Sequence, residues 1–363
     1  SKGTYNENLD LKGKTLTLQS TSPTSLATAQ ATIVQGSLTK PVVLAYKVSG
    51  GAVSGLTLKG GLLGVDCNNS SLAVRNCVIT ANARSGVYAH NGGSTGTVAN
   101  NQISGNKWGV YCDSTASPTV SGNTIELNAS EGVYSSSSAR PTITGNLIRN
   151  NSDSGIDCGM ATVTGNTIMG NTGSYGGGID CSSNPTITNN LIVGNQATSY
   201  GGGILCNDNA TLLNNTICGN SARSEHGGNV WLMSASPVIS NCIIAFATSG
   251  GGIGGSSLTT CHPNISYCDV YGNTDGDYFR ITANLPGNIA KDPLFVTRGG
   301  AGTYRLKSVG GHYNGSGWVA DSVTSPCVDK GDPKSVYTKE PSPNGHRINM
   351  GYDGNTTTAS KSP

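Results

Sequence analysis

The sequence predicts an all-β fold, a parallel β-solenoid in which successive coils of the chain stack on one another. Three observations predict it. A short apolar strand recurs about every 23 residues, and a second motif built on Asn and Ile lies between these strands. No long stretch carries helical periodicity. A repeat of this length with short strands indicates coils that stack about 4.8 Å apart, so that equivalent residues form columns along the axis.

The recurring strand defines the first apolar column. Glycine precedes the column residue in every coil except one, in which Val230 follows Asn229. Since glycine adopts left-handed backbone conformations readily, we expect glycines at the positions of positive φ where the chain changes direction. The column residues are Val65, Val87, Val110, Val133, Ile156, Ile179, Ile204, Val230 and Ile253.

The second motif places two asparagines and an isoleucine at constant spacing in six consecutive coils. Stacked in columns, asparagine amides can bond their neighbours above and below and satisfy backbone groups at the turns. We therefore predict two asparagine ladders. The first comprises Asn101, Asn123, Asn146, Asn166, Asn190 and Asn215, and the second Asn106, Asn128, Asn151, Asn171, Asn195 and Asn220.

The eleven cysteines mostly fall on the same columns. Cysteine replaces asparagine at both ends of the first ladder, as Cys77, Cys242 and Cys268. Other cysteines lie on an inward column, two residues after the residues of the first apolar column. Buried thiols of the core are the expected state. Disulfides between stacked neighbours stay open as an alternative, at Cys158/Cys181, Cys181/Cys206 or Cys242/Cys268. Zinc is disfavoured because Cys261, His262 and Cys268 include no paired C-x-x-C, and we expect no metal and no cofactor.

The composition limits the function classes. The chain has 52 glycines in 363 residues, 12% charged residues and a net charge of +2. The glycines lack the strict period of collagen, and the 35% hydrophobic content is too high for a disordered chain. No basic stripe points to nucleic acid, and no apolar run is long enough to span a membrane.

Several segments carry a family resemblance. Repeats such as Gly177–Cys181 and Pro185–Ile192, with the opening motif Gly3–Asn8, resemble the right-handed parallel β-helix repeat superfamily of secreted bacterial and archaeal surface proteins. Three later segments look like the closing part of those proteins, namely Asp292–Val296, Ser325–Pro333 and Gly345–Gly351. The superfamily shares its fold with pectate-lyase-like enzymes.

This resemblance implies an organisation and a location. It implies about ten coils, with opening strands over residues 1–43, regular repeats over 44–275 and a less regular C-terminal cap over 276–363. It also implies an extracellular or cell-surface protein whose signal peptide has been removed. Relatives usually carry an amphipathic capping helix before the Gly-Thr-Tyr motif. We expect that this helix was trimmed away from the present sequence or that something else covers the first coil.

The outward columns beside the first strand hold the candidate site. Tyr88, Tyr111 and Tyr134 stack in consecutive coils, and Trp231 occupies the same column further on. Aromatic faces of this kind bind sugar rings, although tyrosines can also stabilise a strand surface. If the protein were an enzyme, the acid/base residues would be His90, Asp113, Asp157 and Asp180. The charged turn Ser221–His226 is expected to be a solvated turn.

Two functions follow as hypotheses. The first is an extracellular structural or adhesive protein that self-associates head to tail into filaments, because solenoid ends expose unpaired strand edges. The alternative is a secreted protein that binds or degrades polysaccharide, as a lyase or glycoside hydrolase. The scarcity of charge on the outward columns favours a protein without catalysis. The expected partners are copies of the chain or extracellular polysaccharide.

Overall fold

The computed structural model describes residues 2–299 and 304–363. Two compact units make up the chain. The first comprises Ser1–Asn166 with Gly170–Thr172, and the second Thr167–Met169 with Gly173–Pro363. Within the described residues, no helix has the length and apolar character needed to cross a membrane.

The first unit consists of short strands and one helix. Its first eleven strands are β1 (Gly3–Asn6), β2 (Leu9–Asp10), β3 (Thr17–Gln19), β4 (Thr32–Gln35), β5 (Val43–Tyr46), β6 (Ala52–Ser54), β7 (Thr57–Lys59), β8 (Val65–Asn68), β9 (Ala73–Arg75), β10 (Val78–Thr80) and β11 (Ser85–His90). The others are β12 (Thr97–Ala99), β13 (Gln102–Ser104), β14 (Trp108–Cys112), β15 (Thr119–Ser121), β16 (Thr124–Glu126), β17 (Val133–Ser135), β18 (Thr142–Thr144), β19 (Leu147–Arg149), β20 (Ile156–Cys158) and β21 (Thr162–Thr164).

Every third strand of the first unit joins the same sheet, which is the topology of a right-handed parallel solenoid. Sheet A has the order β1-β4-β7-β10-β13-β16-β19, sheet B runs from β2 in steps of three to β20, and sheet C from β3 to β21. Strand pairing is parallel, and like residues face each other across neighbouring coils. Val87 pairs with Val110, and Ile103 with Ile125. The predicted fold class is confirmed.

The core of the first unit lies between the three sheets. Inward residues of every sheet fill it, two per strand in most strands of sheet B, and Val110, Val120 and Ile125 are fully buried. Turn glycines such as Gly122 (φ +63°) and Gly145 (φ +63°) have the predicted positive φ, whereas the glycines before the first column have another role. At Gly109 φ is not positive, but a Cβ there would lie 2.4 Å from the carbonyl oxygen of Gly132 and 2.5 Å from a methyl of Ile125. Close approach between coils therefore requires these glycines.

One element of the first unit lies outside the prediction. Helix α1 (Leu26–Ala31) begins at Ser25, whose hydroxyl accepts a hydrogen bond from the Thr28 N–H at 3.3 Å. Ala29 is fully buried. An N-cap serine followed by Leu and Ala residues was the available sequence signal.

The second unit contains further coils and then a less regular segment. Its strands up to Leu213 are β22 (Thr167–Met169), β23 (Thr172–Tyr175, which begins in the first unit), β24 (Ile179–Cys181), β25 (Thr186–Thr188), β26 (Leu191–Val193), β27 (Gln196–Tyr200), β28 (Ile204–Cys206) and β29 (Thr211–Leu213). The later ones are β30 (Thr216–Cys218), β31 (Val230–Leu232), β32 (Val238–Ser240), β33 (Ile243–Ala245), β34 (Ile253–Gly255), β35 (Asn264–Ser266), β36 (Asp269–Tyr271), β37 (Tyr278–Phe279), β38 (His312–Tyr313) and β39 (Trp318–Val319).

Three parallel sheets again enclose the core of the second unit. Sheet A has the order β22-β26-β30-β33-β36, sheet B β24-β28-β31-β34-β37, and sheet C β25-β29-β32-β35. Ile192 pairs with Ile217, and Val230 with Ile253. Strands β38 and β39 form a separate antiparallel pair.

The C-terminal segment of the second unit packs against the outer face of sheet A. Phe295, Leu306 and Met350 belong to one buried cluster with the outward residues Leu191 and Ile243. Hydrogen bonds also join the two parts: the Asn189 side chain donates to the Tyr352 carbonyl at 2.9 Å. The segment therefore covers the side of these coils.

The predicted asparagine ladder is present in the first unit. The Asn101 amide donates to Asn123 Oδ1 at 2.9 Å, and the Asn123 amide donates to Asn146 Oδ1 at the same distance. Each Oδ1 also accepts the backbone N–H of the preceding ladder residue, as Asn123 Oδ1 does from Asn101. The ladder thus satisfies backbone donors at buried turns.

The second unit contains a break in the other ladder and its repair. The coil after Asn220 has Ala247 at the ladder position, followed one coil later by Asn273. Asn229 fills the gap: its Oδ1 accepts from the Asn220 amide at 2.9 Å, and its own amide donates to Asn273 Oδ1 at 2.8 Å. Asn229 stands where the other coils have glycine before the first apolar column. Its side chain therefore supplies the amide that Ala247 cannot provide in the ladder.

All eleven cysteines are buried, as the column analysis predicted. Cys242 and Cys268 act in the ladder as sulfur acceptors, because Asn215 N–H approaches Cys242 Sγ and Cys242 N–H approaches Cys268 Sγ, each at 3.4 Å. Both thiols donate to backbone carbonyls, so this pair is not a disulfide. Cys206 is also a thiol.

Candidate functional site

The outer face of sheet B in the first unit has an aromatic surface. Strand β11 supplies two of its residues, β14 supplies two and β17 one. The strands are in register, so that Tyr88 pairs with Tyr111 and Tyr111 with Tyr134. We call this surface the aromatic strip; it consists of Tyr88, His90, Trp108, Tyr111 and Tyr134.

Ring contacts run along the whole strip. Tyr88 stacks on His90 with centroids 4.2 Å apart and planes 7° apart. Tyr111 stacks on Tyr134 at 4.6 Å and meets Tyr88 edge to face at 5.2 Å. Trp108, which the sequence analysis did not single out, meets Tyr111 edge to face at 5.3 Å. The strip is one continuous set of rings.

Two carboxylates hold one end of the strip. His90 Nε2 lies 2.8 Å from Asp66 Oδ1, and the Asn91 amide donates to His90 Nδ1 at 3.3 Å. These two contacts select the tautomer that donates from Nε2. The Tyr88 hydroxyl donates to Asp113 Oδ2 at 3.3 Å. The structure thus brings the predicted His90 and Asp113 to the same place, but His90 pairs with Asp66, which the prediction did not include.

The tyrosines of the strip are neutral hydrogen-bonding groups. Burial raises the pKa of Tyr111 to about 12, with the charges of its neighbours adding to the shift. Burial and the Asp113 carboxylate raise the pKa of Tyr88, and burial and Asp157 raise that of Tyr134. All three hydroxyls therefore keep their protons over the physiological range.

Two cations flank the indole of the strip. Lys107 Nζ lies 4.1 Å from the Trp108 ring centroid, and Arg84 Cζ lies 5.9 Å from it. Cation–π contacts of this kind orient the ring and leave a basic margin beside it. The strip thus has carboxylates near Tyr88 and His90 and cations beside Trp108.

The remaining predicted acids lie in different units. Asp157, on β20 of the first unit, faces Tyr134 in the strand register. Asp180, on β24 of the second unit, accepts a hydrogen bond from the Asn207 amide at 2.7 Å. Each is therefore assigned to the surface of its own unit.

Trp231, the fourth predicted aromatic, belongs to a separate cluster in the second unit. It stacks on Tyr200 at 5.4 Å, and Tyr200 stacks on Tyr175 at 5.9 Å. His226 lies 4.8 Å from the Tyr200 ring and 5.4 Å from Trp231. In the turn Ser221–His226, Arg223, Ser224 and Glu225 are exposed, as expected of a solvated turn, while His226 packs against these rings.

Within residues 2–299 and 304–363, no three His, Cys, Asp or Glu side chains converge to form a metal site. The Cys261 thiol donates to the Leu232 carbonyl at 3.4 Å, and His262 Nε2 lies 3.1 Å from the Thr259 carbonyl. Both groups thus have hydrogen-bonding roles in the fold.

Comparison with known proteins gives two family-model matches and a similar solved structure. The family model described as "right handed beta helix region" matches residues 43–161. The sheet order described above is that of a right-handed parallel β-helix. A second model, described as "disaggregatase related", matches residues 164–331 of this β-helix chain. The β-helix is also similar to the crystal structure of pectate lyase Pel9A, with 16% identity over 97% of this chain and 86% of that chain and a TM-score of 0.44. No curated protein sequence matches the chain.

Proposed function

We propose that this protein is an extracellular adhesive β-helix that binds polysaccharide along the aromatic strip. One observation carries the proposal: three consecutive coils place tyrosine at the same outward position, and their rings form one continuous surface. The coils repeat about every 4.8 Å, so the strip offers a regular series of contacts to a regular polymer. Aromatic rings provide apolar contact area and their hydroxyls provide donors, which suits the mixed surface of a sugar chain.

Binding without turnover fits the hydrogen bonds at the end of the strip. Asp66 is engaged by His90, and Asp113 accepts from the Tyr88 hydroxyl and from the Ser114 N–H. Both carboxylates thus position aromatic side chains. Paired-carboxylate hydrolysis would instead need one carboxyl group that holds a proton to give to the leaving oxygen.

Retention on polysaccharides tests the proposal. We expect a panel of immobilised neutral and uronic polysaccharides to include at least one that retards the protein. Tyr111→Ala should weaken this retention, because it interrupts the ring series, whereas Tyr111→Phe should preserve most of it. Tyr337→Ala is the matched control, since Tyr337 lies in the C-terminal segment and contacts only His346 among the rings of the described residues.

Two results would contradict the proposal. If no polysaccharide retards the parent protein, or if Tyr111→Ala is retained as well as the parent, the strip is not a binding surface. New reducing ends or unsaturated products in the same incubations would show turnover, and binding without catalysis would then be wrong. In that case His90→Ala and Asp113→Ala would be the next variants.

A second candidate function, self-association, is favoured by the first coil. The outer edges of β1, β2 and β3 have no strand partner within residues 2–299 and 304–363. A cavity of about 230 Å³ beside them is lined by apolar residues including Leu9, Leu18 and Val34. Unpaired edges of this kind pair with another chain unless they are covered.

We infer that the partner at this edge is a second copy of the chain, meeting first coil to first coil. At the other end of the second unit, residues 286–289 already pair with β36 and its neighbours. Val270 N–H donates to the Ile289 carbonyl at 3.1 Å, and Tyr267 N–H donates to Pro286 at 2.9 Å. Because residues 286–289 occupy the outer edge of β36, we infer a closed dimer in place of the head-to-tail filament expected from the sequence.

Sedimentation across a wide concentration range tests the dimer. We expect a monomer–dimer equilibrium that Leu18→Lys abolishes, while Leu127→Lys leaves it unchanged, because Leu127 is 62% exposed away from the first coil. A protein that stays monomeric throughout would contradict self-association. Open-ended growth would instead favour the head-to-tail filament.

A further inference from the structure

A pocket in the second unit has the features of a separate binding site. It is a cavity of about 340 Å³ between strand β31, the turn that contains Glu225, and the residues that follow β37. We call it the tryptophan pocket. The lining residues used below are Tyr200, Glu225, His226, Trp231, Phe279 and Arg280.

The floor of the tryptophan pocket is aromatic and rigid. The Trp231 side chain is 3% exposed and lies against Gly254 of the next coil. A Cβ on Gly254 would lie 2.6 Å from Trp231 Cζ3, so only glycine leaves room for the indole in this position. Tyr200 extends the floor on the preceding coil, with its ring 22° from the indole plane.

The turn above this floor is fixed in place. Glu225 has a φ of +64°, which is uncommon for a residue with a side chain. Asp275 Oδ2 accepts from the Glu225 N–H at 3.4 Å and from the Gly250 N–H at 2.9 Å. The turn therefore holds Glu225 and His226 at the rim through contacts with the following coils.

The rim offers both donors and acceptors. His226 Nδ1 donates to the Ser224 carbonyl, which leaves Nε2 as the acceptor of the neutral ring. Glu225 adds acceptor oxygens, and Arg280, whose guanidinium lies 5.0 Å from the Phe279 ring, adds donors. One carboxylate and one guanidinium cancel in formal charge, so the rim matches a neutral ligand rich in hydroxyl groups.

One buried donor at the site has no partner. Trp231 Nε1 is buried, and no acceptor lies within hydrogen-bonding distance among residues 2–299 and 304–363. An unsatisfied buried N–H costs about 1–3 kcal/mol, and such groups in a folded protein call for an explanation in terms of strain, function or an additional acceptor.

We propose that the tryptophan pocket binds one neutral sugar ring at the end of a glycan chain. The proposal deepens the polysaccharide-binding function and rests on it, but it depends on different residues in the other unit. The aromatic strip is a continuous row that suits the interior of a chain. The pocket is bounded by a fixed turn, so it takes a single ring. Its apolar face would lie against the half-buried rings of Tyr200 and Phe279 beside Trp231, and its hydroxyls on Glu225, His226 and Arg280.

Tryptophan fluorescence separates the two sites. The chain has three tryptophans, and the third, Trp318, lies in the C-terminal segment on β39. Trp108→Phe/Trp318→Phe leaves Trp231 as the reporter of the pocket. Trp231→Phe/Trp318→Phe leaves Trp108 as the reporter of the strip. Each protein is titrated with glucose, galactose, mannose and N-acetylglucosamine, with glucuronic acid, and with the polysaccharides used for retention.

We expect at least one neutral monosaccharide to change the Trp231 signal saturably, with little change at Trp108. Arg280→Ala in the Trp231 reporter should weaken binding at least tenfold. Arg223→Ala, an exposed arginine of the same turn outside the lining, is the matched control and should bind like its parent.

Several results would overturn the proposal. A silent Trp231 with every monosaccharide, or unchanged binding in Arg280→Ala, would show that the pocket holds no sugar. Tighter binding of glucuronic acid than of any neutral sugar would overturn the neutral class. If Trp108 stays silent with every polysaccharide while Trp231 responds, the strip proposal fails and the pocket stands.

Discussion

The two units differ most on the outer face of sheet A. In the first unit the outward residues are mainly polar, as Gln102, Thr124 and Glu126 are, and they face solvent. In the second unit the corresponding residues include Leu191 and Ile243, which are fully buried under the C-terminal segment. The inward residues of sheet A follow the same rule in both units, with a column made mostly of Ile at the centre of its strands.

This difference shows that inward and outward columns carry separate information. The inward columns specify the coil and tolerate little variation, because every coil packs on the next. The outward columns determine whether the outer face of a coil contacts solvent or another segment of the chain. A run of apolar outward residues predicts that another segment covers those coils, since exposed apolar patches of this size are rare in folded chains.

The largest expected loss of stability comes from replacing one buried apolar residue on the outer face of sheet A in the second unit with a charged one. Leu191→Glu places a charge in the buried contact between sheet A and the C-terminal segment, and an uncompensated buried charge costs about 3–5 kcal/mol. We expect a loss of that size in the free energy of unfolding and rapid proteolysis of the C-terminal segment. Gln102→Glu, the corresponding change in the first unit, should have almost no effect because Gln102 is exposed.

If Leu191→Glu fails to accumulate, Leu191→Ala provides the measurement, with an expected loss of about 2–5 kcal/mol. Equal stability losses for Leu191→Glu and Gln102→Glu would show that the outer faces of the two units are equivalent.

The ladder offers the next comparison. Asn229→Gly removes the amide that bridges Asn220 and Asn273 and leaves buried groups unsatisfied, at a cost of about 1–3 kcal/mol. Adding Ala247→Asn should recover most of the loss, because it restores the pattern of the first unit, with glycine before the first column and asparagine in the ladder. Chemical denaturation of both single variants and the double variant gives the coupling energy. Additive losses would contradict the repair.

The units also differ in their buried carboxylates. Burial raises the pKa of Glu340 to about 7 and that of Asp269 to about 6, both in the second unit. A carboxyl group with a raised pKa in the folded state stabilises the fold below its unfolded pKa, and this contribution is lost as pH rises through the folded value. The second unit should therefore lose stability between about pH 5 and pH 8.

Glu340→Gln tests this pH dependence. Glu340 Oε1 accepts from the Asn349 and Asn355 N–H groups at 2.9 and 2.8 Å, and the glutamine oxygen can keep both bonds. We expect the variant to be more stable than the parent at pH 8 by on the order of 1 kcal/mol, with little difference at pH 5. Glu7→Gln, an exposed change in the first unit, is the control. A parallel pH profile for Glu340→Gln and the parent would refute the assignment.

The smallest expected effect is at the aromatic strip. Aromatic pairs contribute about 0.5–1.5 kcal/mol beyond their buried area, so Tyr111→Ala should lower stability only by roughly that amount while it weakens polysaccharide retention. A loss above about 3 kcal/mol in thermal or chemical unfolding would indicate that the strip serves the fold first.

Particular residues show which features of the structure could be predicted from the sequence. The first apolar column, both ladders and the outward position of the three tyrosines were predicted, because each depends only on period and strand alternation. The role of Asn229 was visible only as an exception to a glycine pattern, and its bond to Asn273 joins residues 44 positions apart. The pairing of His90 with Asp66 and the packing of His226 on Trp231 depend on side-chain rotation, which spacing does not determine.

The sequence by itself determined the coil, its period, its core and its ladders, because in a solenoid each coil contacts its neighbours in a fixed register. The tertiary structure alone decided where the C-terminal segment lies and how the turn at Glu225 closes over Trp231. Those arrangements join segments that do not repeat, so no periodicity encodes them. Their geometry follows from packing and hydrogen bonds that form only in the folded chain.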